Sequence, residues 1–273
     1  MMTTLETYKG INLQVIEPLQ KDSCDTLVLL HGALADERMW AAHTKILSQE
    51  FRVISITQRH FGKNGSNSMG SFGIDTHADD LISFLDENFN KAVHLVAWSY
   101  GADVALNAAI KSPTLVKSLF VYEPGYPGHL DSKEMNTYMQ DAEAMFGSVF
   151  QAISDENLKE AVEYLIDGSG NNIGYFSSQS PEYRTQQLDN AHTLPLQLSQ
   201  TEQPTLDKVS LAKIQIPTTV AFGAESRPLF IITSKSAGNH IPNSKLIEVS
   251  SANHMLPLEN PQQFIQLVKE HTS

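Results

Sequence analysis

Hydrophobic and polar positions change their period once, close to the start of the chain. Two alternating runs flank Lys9-Gly10, and the alternation, which holds to about Pro18, predicts an antiparallel hairpin. Beyond it, short and continuously apolar runs rich in β-branched residues alternate with stretches of helical spacing. The runs Thr26 to Leu30, Val53 to Ile56, Val93 to Ala97, Leu115 to Tyr122, Thr218 to Phe222 and Leu246 to Val249 suit strands covered on both faces. Between them Leu81, Phe84 and Leu85 recur at helical spacing, as do Ala102, Ala105, Leu106 and Ala109, and later Phe264, Leu267 and Val268. Strand, helix and strand in succession predict an α/β fold: a mostly parallel sheet with helices on both faces.

The alternation lapses between Tyr122 and Thr218, where helical patterning persists without a β-branched run. This predicts a helical cap over 125–206 inserted into a core of 1–124 and 207–273. Helix-like stretches lie at Lys133 to Ile153 and Ser154 to Ile166, with Ser154 or Asp155 expected to cap the second and Gly168 to Asn172 to end it. Ligands bind beyond the carboxyl ends of strands in such sheets, so an insertion leaving one of those ends should roof the site. Tyr126, Met135, Tyr138, Met139, Met145, Phe146 and Phe150 are its candidate apolar lining or its own core.

Composition narrows the partners. Of 273 residues 41% are hydrophobic, ample for a single large core, and the net charge of −12 disfavours nucleic acid and anionic lipid. One cysteine, Cys24, permits neither an internal disulfide nor a cysteine-rich metal site, which makes a reducing cytoplasm the expected location. No stretch reads as a leader or a membrane span. A small-molecule substrate is the expected partner, and the oligomeric state stays open. His77-Ala78-Asp79-Asp80 reads as a solvated helix start rather than a metal cluster, Gly62 to Ser66 as the loop leaving the fourth strand rather than a phosphate loop, and the polar patch Gly62 to Gly73 as too short for a linker between domains. No cofactor and no metal are expected.

Three segments carry candidate chemistry. In Ala97-Trp98-Ser99-Tyr100-Gly101 a buried strand runs directly into a small-residue helix with a serine at the joint, which is the setting of a nucleophile elbow. Leu27 to Ala33 is an apolar strand ending in His31-Gly32. Backbone N–H groups at such a loop can receive an oxyanion, which nominates Ala33 and, after the serine, Tyr100. Asn253-His254 follows the last strand, where an imidazole can swing towards Ser99 as a general base.

Taken in order, His31-Gly32, Ala97-x-Ser99-x-Gly101 and Asn253-His254-x-x-Pro257-x-Glu259-x-Pro261 resemble the α/β-hydrolase superfamily over nearly the whole chain. The resemblance implies an eight-stranded sheet, Ser99 as nucleophile, His254 as base, oxyanion donors at Ala33 and Tyr100, and a cap after the sixth strand. One position departs from the pattern. The usual Gly-x-x-Asp loop reads Gly223-Ala224-Glu225-Ser226, and a serine cannot supply the charge. One branch of haloalkane dehalogenases places its acid at the end of the preceding strand, and here that position is Glu123, the leading candidate ahead of Glu225.

The activity so implied is metal-independent hydrolysis of an ester or thioester of a small, largely apolar acid through an acyl-enzyme. A lactone, an amide or a C–C bond remains open as the target, and so does a binding protein on the same scaffold. Dehalogenation is disfavoured, since its nucleophile is a carboxylate and Ser99 stands there.

Overall fold

The computed structural model describes residues 2–8, 11–17, 24–62, 65 and 70–273. Eight strands form one sheet in the order β1-β2-β4-β3-β5-β6-β7-β8. They are β1 (Met2–Tyr8), β2 (Ile11–Glu17), β3 (Thr26–Leu30), β4 (Arg52–Thr57), β5 (Val93–Trp98), β6 (Val116–Tyr122), β7 (Thr218–Gly223) and β8 (Lys245–Val249). The hairpin pairs Tyr8 with Ile11, its turn residues Lys9 and Gly10 lying outside the described residues. From β4 to β8 every pairing is parallel.

The continuous apolar runs have a simple cause. In β3, Leu27 and Leu29 enter one hydrophobic cluster while Val28 and Leu30 enter another on the opposite face. Side chains alternate across a strand, so a strand covered on both sides needs an apolar residue at every position. Each such wholly buried side chain contributes about 1.5–3 kcal/mol. The helices α1 (Ala41–Leu47), α2 (Ile74–Asn88) and α3 (Tyr100–Lys111) follow β3, β4 and β5, with α2 and α3 in the second cluster.

Between β6 and β7 the chain is helical: α4 (Ser132–Ser154), α5 (Leu158–Ser169), α6 (Tyr175–Ser178), α7 (Pro181–Asp189), α8 (Thr193–Leu198) and α9 (Lys208–Leu211). After β7 come α10 (Pro228–His240), α11 (Leu256–Glu259) and α12 (Pro261–Thr272). The first cluster runs on from the sheet into this helical layer through Met145, Val149, Val162, Leu165 and Ile166.

Two local expectations need correction. Asn157 caps α5, accepting the Glu160 N–H, while Ser154 and Asp155 belong to the end of α4. The Asp155 N–H still closes an α-helical bond to the Gln151 carbonyl, and only Glu156, at φ 57°, breaks the helix. His77 is buried rather than solvated, 2.7 Å from the Tyr100 hydroxyl, and Asp80 pairs with Arg59. Among the described residues no three acidic, histidine or cysteine side chains could hold a metal, and no helix is long and apolar enough to cross a membrane.

Candidate active site

The joint between β5 and α3 is a single residue, Ser99, at φ 55° and ψ −125°. A non-glycine residue in that region costs about 1–3 kcal/mol and persists only where its surroundings over-determine it. Here Ser99 N–H is held by the Tyr122 carbonyl at 2.9 Å, one strand away. Two glycines make the bend possible. A Cβ on Gly101 would lie 2.3 Å from the His31 carbonyl oxygen, and one on Gly32 would lie 2.9 Å from the Ser99 Cβ. The elbow and the loop after β3 are therefore in backbone contact, and only small residues fit.

His254, in the loop after β8, lies with Nε2 3.0 Å from Ser99 Oγ and Nδ1 2.7 Å from Glu123 Oε2. An ionised carboxylate only accepts, so Nδ1 carries the proton and Nε2 is left as the acceptor for the serine hydroxyl. The ring is clamped: Phe230 stacks on it at 3.7 Å and 9°, and Trp98 Nε1 donates to the His254 carbonyl at 2.8 Å.

Glu123 is wholly buried, at φ 50°, directly after β6. Burying a carboxylate costs several kcal/mol unless donors surround it. Its second oxygen, Oε1, accepts the Gly223 N–H at 2.7 Å, from the last residue of β7, and the Ser226 hydroxyl at 2.5 Å, from the loop that follows. Ser226 thus stands where the family pattern expects an aspartate and serves the glutamate that arrives from the neighbouring strand. Glu225 is exposed and engages the chain through its backbone, donating to the Ala252 carbonyl and accepting from Asn171. The structure brings Ser99, His254 and Glu123 together and leaves Glu225 apart.

The loop after β3 is built from buried polar contacts. His31 Nδ1 is 2.8 Å from the Gly32 carbonyl, and Nε2 accepts the Gln58 N–H at 3.0 Å. Burial drives this imidazole down to about 4, so it stays neutral and works as a brace between β3 and β4. Ala33 follows, facing the same cavity as Ser99 and Tyr100. As the first residue of α3, Tyr100 has an N–H with no partner inside the helix. Asp36 ties this loop to the helical layer: Arg38, Gln186 and Asn190 all donate to its carboxylate at 2.7–2.8 Å. Burial alone would raise its pKa, but the bonds from Arg38 and Asn190 outweigh that and hold it below the usual range.

Ser99 and His254 open on a cavity of about 200 Å³ between sheet and helical layer. Tyr126, Tyr138, Met145 and Phe146 line it; Met139 and Phe150 are more than half exposed on the outer side of α4, and Met135 is not in the wall. Asp103, one turn into α3, is the carboxylate in that wall. Sequence patterns did not single out Asp36, Asp103 or Phe230, and they marked Ser226 only as the place where the usual aspartate is missing, not as a donor. The first two sit in or beside recognised motifs, but apart from Arg38 their partners lie 22 to 154 positions away.

Fold and site together define a class. The sequence profile of the alpha/beta hydrolase fold matches residues 25–261, and the chain belongs to that family, a hydrolase of the α/β fold. It is 23% identical to an uncharacterized hydrolase of Bacillus subtilis, YugF, over 97% of this chain and 94% of that one. A Pseudomonas putida protein named as a 2-hydroxy-6-oxononadienedioate/2-hydroxy-6-oxononatrienedioate hydrolase is 25% identical over 90% and 87%. A thermophilic esterase from Thermogutta terrifontis superposes with a TM-score of 0.71, covering 99% of this chain and 97% of that one at 21% identity, a likeness of fold alone.

Proposed function

We propose that the protein is a serine hydrolase that cleaves an ester or thioester of a small, largely apolar acid through an acyl-enzyme. Ser99 Oγ attacks the carbonyl carbon as its proton passes to His254 Nε2, and Glu123 steadies the imidazolium. The N–H groups of Ala33 and Tyr100 receive the oxyanion. The imidazolium returns the proton to the leaving alcohol or thiol. Water, deprotonated by His254, then attacks the acyl carbon, and Ser99 leaves with the proton. Residues 125–206 act as the cap that selects the acid, and the single cysteine fits a cytoplasmic enzyme.

The observation that carries this reading is the unbroken line of hydrogen bonds from Glu123 through His254 to Ser99, ending at a cavity walled mainly by apolar side chains. The C–C bond alternative is weaker here. The relative from Pseudomonas putida is named for substrates that are dioates, and a second carboxylate in this cavity would meet Asp103 with no lysine or arginine among the described lining residues.

An activated p-nitrophenyl ester tests the reading. It should give a burst of chromophore followed by slower turnover, and Ser99→Ala should remove both, lowering kcat by up to about 10⁶. A mutant that keeps most of its turnover overturns the serine mechanism, and an intact protein that gives no chromophore at all favours a ligand-binding role.

A further inference from the structure

Asp103 is the one acidic side chain among the described residues of the cavity wall, and it has no part in the steps above. It is 5% exposed. Its two oxygens accept one backbone N–H each, from Gly125 at 3.2 Å and Tyr126 at 3.1 Å, and no cation among the described residues pairs with it. A carboxylate has about four acceptor positions, so half of its capacity is unspent. Burial raises this carboxyl to about 7, because nothing charged offsets the lost hydration.

The surroundings are specific. Six aromatic rings besides His254 share the wall with it, Trp98, Tyr100, Tyr126, Tyr138, Phe146 and Phe230, among aliphatic side chains. Burial first, and the charge of Asp103 after it, hold the phenols of Tyr100, Tyr126 and Tyr138 above their usual range, and the Tyr126 N–H bonds the carboxylate directly. No lysine or arginine among the described residues lines the cavity, while Gln197 and Gln200 of the same wall keep side-chain oxygens without a donor. Ring faces and an unpaired carboxylate attract the same kind of group, a positive charge that sheds its water. The chain's net charge of −12 draws such a group in rather than repelling it.

We infer that the cavity takes a substrate carrying an organic ammonium group, seated against the aromatic wall with Asp103 as its counter-charge. This rests on the ester-hydrolase reading and names its substrate class. A purely structural Asp103, clipping the segment after β6 to α3, would leave no preference between a charged and an uncharged substrate of equal shape.

Two ester pairs that differ essentially in charge separate the cases: acetylcholine with 3,3-dimethylbutyl acetate, and methyl 6-aminohexanoate with methyl heptanoate. In mildly alkaline buffer, where Asp103 is ionised, the wild type should favour the cation in at least one pair, by about ten- to thirtyfold in kcat/KM. Asp103→Asn should bring that ratio down to near one, whatever happens to the rate on the neutral member. Preference for the neutral ester in both pairs, or a cation preference that survives Asp103→Asn, overturns the inference. If the variant does not fold, competitive inhibition of the wild type by tetramethylammonium and methylammonium decides, with no inhibition counting against the site. If no ester is turned over in a Ser99-dependent manner, the hydrolase reading fails separately, and saturable binding of those two ions to the wild type, or its absence, decides for or against the ammonium site.

Discussion

Two strand ends meet beneath His254, and they have divided one task between them. The end of β6 supplies the charge, through Glu123, and the end of β7 supplies the donors, through Gly223 and Ser226. A carboxylate at both ends would set two buried negative charges against each other; a carboxylate at neither would leave the imidazole without a counter-charge. Ser226 is placed as a donor rather than as an acid. It is the complement that a glutamate reaching across from the next strand requires, since a buried carboxylate is tolerable only when its oxygens are bonded.

Substitutions at the two ends can break or sharpen this comparison. The largest effect belongs to Glu123→Gln, which keeps the shape and removes the charge; kcat on a p-nitrophenyl ester should fall by about 10³–10⁴. A fall of less than tenfold would mean that β6 does not hold the acid. Next comes Ser226→Asp, which restores the family's usual residue but faces it with Glu123. Denaturant unfolding should show a loss of about 3–5 kcal/mol, the scale of an uncompensated buried charge, and wild-type stability would show that water reaches the pair.

Ser226→Ala should be milder. The Gly223 N–H still holds Oε1, so the loss of one hydroxyl donor should cost about 1–3 kcal/mol of stability, with a fall in kcat well short of that in Glu123→Gln. An effect as large as that of Glu123→Gln would promote Ser226 from support to essential partner. The smallest effect should be that of Glu225→Gln, an exposed side chain whose replacement should alter stability by less than about 0.5 kcal/mol and leave the rate nearly unchanged. A large rate loss there would return the acid to the loop after β7.

What could be read directly from the sequence was local or periodic. Apolar runs located the inner strands because burial on both faces demands apolar residues there, whereas Leu246 to Val249, expected to be covered on both faces, is the largely exposed edge strand β8; the spacing of Leu81, Phe84 and Leu85 located α2 through burial at helical period. Ser99 and His254 stood out because each sits in a short motif shaped by its own turn. The cap of α5 did not stand out, since Ser154, Asp155 and Asn157 are all capable capping residues and the choice depended on how far α4 kept its hydrogen bonds.

The tertiary structure decided everything that depends on which strand lies beside which. Sequence alone established the α/β order, the joint at Ser99, the loop at His254 and the absence of an aspartate at position 226, and it could only rank Glu123 against Glu225. That Ser226 turns its hydroxyl to Glu123 across 103 positions, that Phe230 stacks on His254, and that Asp36 grips Asn190 follows from β6 and β7 being neighbours and from the helical layer closing over the sheet. Hydrogen bonds and ring contacts act over a few ångströms, whereas a chain reveals its pattern only over a few residues. Where those two kinds of nearness part, only the folded structure can say what a side chain touches.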